Sequence, residues 1–192
     1  MVVKRILVAL FLFFSSSAWA EEKTALPKWQ VLDSAGKEHS PAEWKDSRAA
    51  VLVFLSPDCP VSNGYVPELN RLAKSFSEKK VLIWGIYADP DVTSEIATAH
   101  AKEFKLAFPV FRDPELKAAH ASGVKVTPEV AVMNPKGKLI YHGRIDDRYG
   151  EDGIRREVVK EYTLQEVIEV VLDGKAPKNR ETKAFGCPLT GR

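Results

Sequence analysis

Cysteine is scarce in this chain: Cys59 and Cys187 stand alone among 192 residues. That excludes a domain stapled by several disulfides and leaves room for one intramolecular bond at most. A surplus of one charge is missing too, since 28 Lys and Arg face 26 Asp and Glu. Nucleic acid and anionic membrane surfaces usually call for a concentrated basic patch, so neither is expected as a partner. After the first stretch of the chain no apolar run is long enough to be a membrane helix. Internal repeats, low-complexity tracts and signs of a second large domain are lacking as well.

What is present begins with processing information. Lys4 and Arg5 form a basic start, Ile6 to Phe14 an apolar stretch too short to span a bilayer comfortably, and Ala18-Trp19-Ala20 an A-x-A cleavage signature before Glu21. The expectation is a signal peptide over 1–20 and a mature protein that is periplasmic or secreted, with no stable membrane insertion after cleavage. Removing 20 of 192 residues leaves 172, and removing two of 28 basic residues leaves 26 against 26 acidic ones. That length suits one domain with one sizeable core over 21–174, followed by a tail over 175–192 that carries Cys187.

Along the mature chain, apolar runs of strand length alternate with amphipathic helical stretches, the pattern of an α/β domain. Strands are expected at Trp29 to Leu32, Ala50 to Leu55, Val81 to Tyr87, Phe108 to Phe111, Glu129 to Met133 and Leu139 to His142. The turn signal Asn134-Pro135-Lys136-Gly137 joins the last two. Ser40-Pro41-Ala42-Glu43 has capping-box spacing, so a short helix should carry Trp44 onto the sheet. Longer helices are expected at Pro60 to Lys79, with Pro67 kinking or breaking it, at Ser94 to Phe104, at Pro114 to Ser122 and at Thr163 to Leu172. Gly123 and Gly174 are the expected stops of the last two.

Cys59 follows a buried strand directly and precedes a helix, in Leu55-Ser56-Pro57-Asp58-Cys59-Pro60-Val61-Ser62-Asn63. Helix N-terminal amides carry partial positive charge and favour the thiolate, the form that does redox chemistry. This order, with Pro67 eight residues after the cysteine and Val126-Thr127-Pro128 before a strand hairpin and a final helix, resembles the thioredoxin fold in its extracytoplasmic redoxin branch. The resemblance covers roughly Pro27 to Leu172 and implies a central mixed sheet flanked by helices. It also implies that Pro128 is cis and lies against Cys59, and that Thr127 offers backbone contacts to an extended substrate.

Two departures from that family matter. Its redox motif is Cys-x-x-Cys, whereas Cys59-Pro60-Val61-Ser62 places a hydroxyl where the second thiol belongs. A Cys-x-x-Ser site can form a mixed disulfide but needs another thiol to resolve it. The second departure is Cys187, beyond the last helix in Ala184-Phe185-Gly186-Cys187-Pro188, a candidate resolving cysteine within one chain or across a dimer. Two alternatives stay open: thiols that never pair, and a permanent structural disulfide, which would contribute on the order of 4 to 5 kcal/mol in the chain-entropy model.

Peroxiredoxins, which share the fold, use Pro-x-x-x-Thr/Ser-x-x-Cys and a distant arginine. Ser56 and Cys59 fit that motif, but Leu52 replaces its proline and Thr127-Pro128 stands about where the arginine falls. A copper-handling relative uses Cys-x-x-x-Cys with a remote histidine; here Asn63 replaces its second thiol and His142 is the one histidine near the later strands. His142 is therefore read as a strand residue, and His39, His100 and His120 as surface or helix-face positions. Asp58 beside the thiol could take protons, though its charge opposes the helix-end effect. Asp146, Asp147 and Arg148 read as a solvated turn, and Trp44 and Trp84 as core. The expected function is thiol-disulfide exchange with protein thiols or disulfides, through Cys59, Cys187, Ser62 and Pro128, with Thr127, Ser56 and Asp58 contacting substrate. No metal and no cofactor is called for. The alternatives are peroxide as substrate, and a noncatalytic binding module.

Overall fold

The computed structural model describes residues 27–150 and 152–189, so the expected signal segment lies outside the described residues. The chain enters through two short strands, β1 (Val31–Leu32) and β2 (Glu38–His39). Asp33 shapes the turn between them, its Oδ1 accepting the Ala35 and Lys37 N–H groups at 2.8 and 2.9 Å. A 3-10 turn over Pro41–Trp44 then delivers the Trp44 ring into the core, and the Ser40 N–H donates to Glu43 Oε1 at 3.4 Å, as the capping-box spacing predicts.

Strand β3 (Ala49–Leu55) is buried along its whole length because it lies in mid-sheet with both faces covered. It leads into helix α1 (Pro60–Phe76), then β4 (Val81–Tyr87), α2 (Ser94–Glu103), β5 (Val110–Arg112) and α3 (Lys117–Ser122). The remainder is β6 (Val126–Thr127), β7 (Glu129–Met133), β8 (Leu139–Gly143), α4 (Thr163–Leu172) and β9 (Cys187–Pro188). Helix α1 runs on through Pro67 rather than breaking there. An interior proline gives up the N–H that would bond four residues back and crowds that carbonyl, and buried Val66, Leu69 and Leu72 anchor the helix on either side of it. Helix α3 starts later than its sequence suggests, because Leu116 takes a left-handed conformation.

The sheet has seven strands in the order β2-β1-β5-β4-β3-β7-β8. Strands β3, β4 and β5 are parallel, while β7, β8, β1 and β2 pair antiparallel with their neighbours. The α/β class and the mixed sheet flanked by helices are therefore as the sequence indicates. Because side chains alternate along a strand, β3 feeds two cores. Val51, Val53 and Leu55 meet Leu69, Leu72 and Phe76 of α1 and Leu164 and Ile168 of α4. Leu52 and Phe54 meet Trp44, Trp84, Phe111 and Ala118 of α3 on the opposite face. Trp44 and Trp84 cross edge to face with centroids 5.6 Å apart. Among the described residues no helix is long and apolar enough to cross a membrane.

After α4 the tail does not wander. It runs beside β8, where the His142 N–H donates to the Arg180 carbonyl at 3.0 Å and the Thr182 N–H to the His142 carbonyl at 3.2 Å. It ends in β9, antiparallel to β6. The whole arrangement depends on α1 being fixed to the sheet. Leu69→Ala should therefore lower the unfolding free energy by about 2–5 kcal/mol. Chemical denaturation would show this as an earlier midpoint with an unchanged slope.

Candidate active site

The start of α1 sets the position of the first sulfur. Cys59 is the residue at the N-terminal boundary of the helix, and its carbonyl accepts the Asn63 N–H at 3.0 Å. Its own N–H donates to the Ser56 carbonyl at 3.3 Å, which closes a tight turn between β3 and α1. The thiol group thus sits at the positive end of a 17-residue helix, where a negative sulfur is favoured.

The second sulfur arrives on the tail. Cys59 and Cys187 form a disulfide with Cα atoms 6.1 Å apart, across a sequence separation of 128 residues. The tail reaches this point because β9 pairs with β6, Thr127 opposite Cys187 and Val126 opposite Pro188. Thr127 Oγ1 donates to the Cys187 carbonyl at 3.4 Å, and the Thr127 carbonyl oxygen lies 3.1 Å from Cys59 Sγ. The Thr127-Pro128 bond is cis and Pro128 is buried, so one short stretch of main chain faces both sulfurs. With the tail in place Cys59 is 1% exposed.

The remaining residues singled out in the sequence fall around this centre in different ways. Ser62 is fully buried, and its Oγ accepts the Ser56 N–H at 3.3 Å, so its hydroxyl braces the turn that carries Cys59. Ser56 is half-buried, while Asp58 is exposed beside the thiol position. Leu52, at the proline position of the peroxidase motif, lies in mid-strand between Trp84 and Ala131. A proline there would remove a ladder hydrogen bond from a central strand, which is why this chain cannot carry that motif without a different β3.

Two polar networks around the site were not legible in the sequence. His100 is not an ordinary helix-face residue: it is 4% exposed. Asn63 Nδ2 donates to the Pro57 carbonyl at 2.8 Å, so Asn63 Oδ1, 2.8 Å from His100 Nε2, accepts the imidazole proton. His100 Nδ1 then accepts from the Tyr87 hydroxyl at 2.6 Å. This chain of bonds ties α2 and β4 to the loop just before Cys59. Its members lie far apart in sequence, and only the buried contact reveals it.

Asp146 and Asp147 are likewise no solvated turn, being 1% and 2% exposed. Asp146 Oδ1 accepts from the Tyr65 hydroxyl at 2.7 Å and from the Arg148 N–H at 2.8 Å. Asp147 Oδ1 accepts the Lys160 and Glu161 N–H groups at 2.8 and 3.0 Å, and its other oxygen pairs with Arg156 at 2.5 Å. These bonds lower the Asp147 carboxyl below its ordinary pKa against the opposing effect of burial. They fix the long loop before α4, which places Tyr149 next to the tail. Arg148 caps the arrangement, its guanidinium 4.6 Å over the Tyr65 ring.

His142 stands on β8 with Nδ1 3.5 Å from Glu129 Oε1, a strand residue beside a buried carboxylate. Among the described residues no group of three or more His, Cys, Asp or Glu could hold a metal ion.

A cysteine at a helix start after a central strand, faced by a cis-proline loop from the next sheet element, defines a thioredoxin-like redoxin. The model of the AhpC/TSA family matches residues 23–142, and the chain belongs to that family. Among solved structures it is similar to a hypothetical protein of Sinorhizobium meliloti, at 26% identity and a TM-score of 0.71 over 84% of this chain and 89% of that one. It is also similar to an uncharacterized conserved protein of Geobacillus kaustophilus, at 23% identity and a TM-score of 0.73 over 85% and 88%. A secreted disulfide oxidoreductase of Mycobacterium tuberculosis, homologous to E. coli DsbE, matches at 16% identity with a TM-score of 0.53 over 81% and 99%, a likeness of fold. No match is found among curated proteins.

The His100 network has a consequence in pH. Burial holds the imidazole below its ordinary pKa, and the charges of Glu103 and Asp58 oppose the shift. The unfolded chain therefore takes up a proton at His100 more readily than the folded one. The stability gained by keeping the ring neutral is complete above about pH 6.5 and is lost as pH falls through the folded-state pKa. Unfolding free energies at about pH 7.5 and about pH 5.5 should fall further in the native protein than in His100→Gln. His39, whose pKa is raised by Glu43 despite its partial burial, acts in the opposite direction in both proteins and cancels in the comparison.

Proposed function

We propose that this protein is an extracytoplasmic thiol-disulfide oxidoreductase that reacts through Cys59 and is resolved within one chain by Cys187. The observation that carries this reading is the delivery of Cys187 to Cys59 by the β6–β9 pairing. The Cys-x-x-Ser site lacks a neighbouring second thiol, and the tail supplies one from 128 residues away. The secreted M. tuberculosis relative of the fold is a disulfide oxidoreductase, which agrees with that chemistry. The Ala18-Trp19-Ala20 cleavage signature supports export to the periplasm or beyond the cell.

In the reduced protein the Cys59 thiolate attacks one sulfur of a substrate protein disulfide. A Cys59–substrate bond forms, the substrate S–S bond breaks, and the other substrate sulfur leaves as a thiolate that takes up a proton. The Cys187 thiolate then attacks Cys59 Sγ, and the substrate's remaining sulfur departs. The protein dithiol is oxidised to the Cys59–Cys187 disulfide, and the substrate disulfide is reduced to two thiols. The reverse sequence oxidises a substrate dithiol, and the relative reduction potentials set the direction. The helix end favours the Cys59 thiolate, which makes Cys59 the attacking sulfur in the forward direction and the sulfur that leaves in the last step of the reverse one.

Ser62 and Pro128 belong to this site as positioning residues, one bracing the turn at Ser56 and the other setting the path of Thr127. Peroxide as substrate is disfavoured by the uninterrupted strand at Leu52. Cys59→Ser should abolish turnover of a disulfide-containing protein substrate. Cys187→Ser should leave the first step intact and accumulate a mixed disulfide, visible as a mass adduct that a reducing agent removes. If both variants turn over like the native protein, the exchange reading is wrong.

A further inference from the structure

The tail does more than bring a sulfur. Residues 185–189 lie against the body of the protein as a bound extended peptide would. Cys187 pairs across from Thr127, and the Leu189 N–H donates to the Lys125 carbonyl at 2.9 Å. These are main-chain contacts, which any extended segment could make.

The two positions before the cysteine are selective. At Gly186 a Cβ would be driven into the Thr127 carbonyl and would stand 3.1 Å from Pro128 N, so only glycine fits against this backbone. One residue earlier, Phe185 stacks on Tyr149, with centroids 5.8 Å apart and planes 21° from parallel. Its ring also fills the space that a Cβ on Gly153 would take. The ring is nevertheless 39% exposed, so it lies on an open shelf rather than in a closed core. Tyr149 and Gly153 sit on the loop that Asp147 holds in place.

We propose that this groove is a recognition site for an external, extended protein segment of the form aromatic-glycine-cysteine whose cysteine is in a disulfide, and that residues 185–189 are its tethered occupant in the oxidised chain. The proposal rests on the exchange reading above and names the class of substrate that the same site prefers. Tail and substrate exclude one another: the segment that pairs with Val126 and Thr127 can be only one of the two. Reduction of the Cys59–Cys187 bond frees the tail, and an external segment then takes its place before its disulfide is attacked.

The test uses full-length Cys187→Ser protein, reduced, so that Cys59 is the one thiol. The probe is a synthetic peptide of residues 183–189 with its cysteine joined to thionitrobenzoate. Attack by Cys59 forms the Cys59–peptide disulfide and releases coloured thionitrobenzoate, whose rate is followed. A peptide with valine in place of the glycine should react at least about tenfold more slowly, the scale set by an unrelieved overpacked contact. One with alanine in place of the phenylalanine should react roughly two- to tenfold more slowly, the factor a stacked aromatic pair supplies. Tyr149→Ala in the protein should remove that second difference, and Phe185→Ala in the protein's own tail should speed the reaction of the native peptide by weakening its competitor. The symmetric thionitrobenzoate disulfide, which carries no peptide, reports how readily each protein's tail uncovers Cys59, and selectivity is read as the ratio between peptides on one protein. If this reagent labels Cys59 but the three peptides react at one rate, the groove does not select and the proposal is overturned while exchange stands. If neither reagent nor peptide labels Cys59, the exchange reading itself fails.

Discussion

The main chain of Thr127 is the constraint on which the rest of the site depends. Its carbonyl lies 3.1 Å from Cys59 Sγ, and it stands opposite Cys187 in the β6–β9 pair. The space in front of that carbonyl admits Gly186 and nothing larger. One peptide unit therefore fixes the approach of a helix-borne sulfur, a tail-borne sulfur and whatever precedes the latter. Around it the protein is rigid where it has to be: β3 aims the turn at Ser56, α1 supplies the positive helix end, and the cis bond at Pro128 turns β6 into β7.

Buried polar bonds hold the two loops that frame this arrangement. The His100–Asn63 link fixes the loop before Cys59, and the Asp146 and Asp147 bonds fix the loop that offers Tyr149 to the tail. Groups of this kind stabilise less by being made than they destabilise when half of a pair is removed, because the partner is then left buried and unsatisfied. The chain has thus placed damage-sensitive contacts on the segments that frame the site, while the apolar cores on the two sheet faces carry the bulk of the fold.

Much of the architecture was legible because it is written in local patterns. The continuous apolar runs of β3 and β4, the turn at Asn134-Pro135-Lys136-Gly137 and the period of α4 each identify an element within a residue or two of its observed ends. Cys59 at a helix start was readable from its neighbours, and the cis bond at Pro128 followed from a family resemblance. What escaped the sequence depends on long-range contact. Asp147 is buried because Arg156, Lys160 and Glu161 come back to it, and nothing in Asp146-Asp147-Arg148 marks that return. His100 is buried because Tyr87 and Asn63, far apart in the chain, meet its two nitrogens. The two residues of β9 are too few to show any period, so the docking of the tail was visible only as the question of what Cys187 could reach.

The most direct test of the central claim is a redox titration of the purified mature protein in glutathione buffers, with thiol alkylation and mass spectrometry reporting the Cys59–Cys187 pair. The account predicts an intramolecular disulfide that forms and opens at roughly −120 to −270 mV, among working oxidoreductases. A pair that stays oxidised to below about −300 mV would make the bond a structural staple and would contradict it.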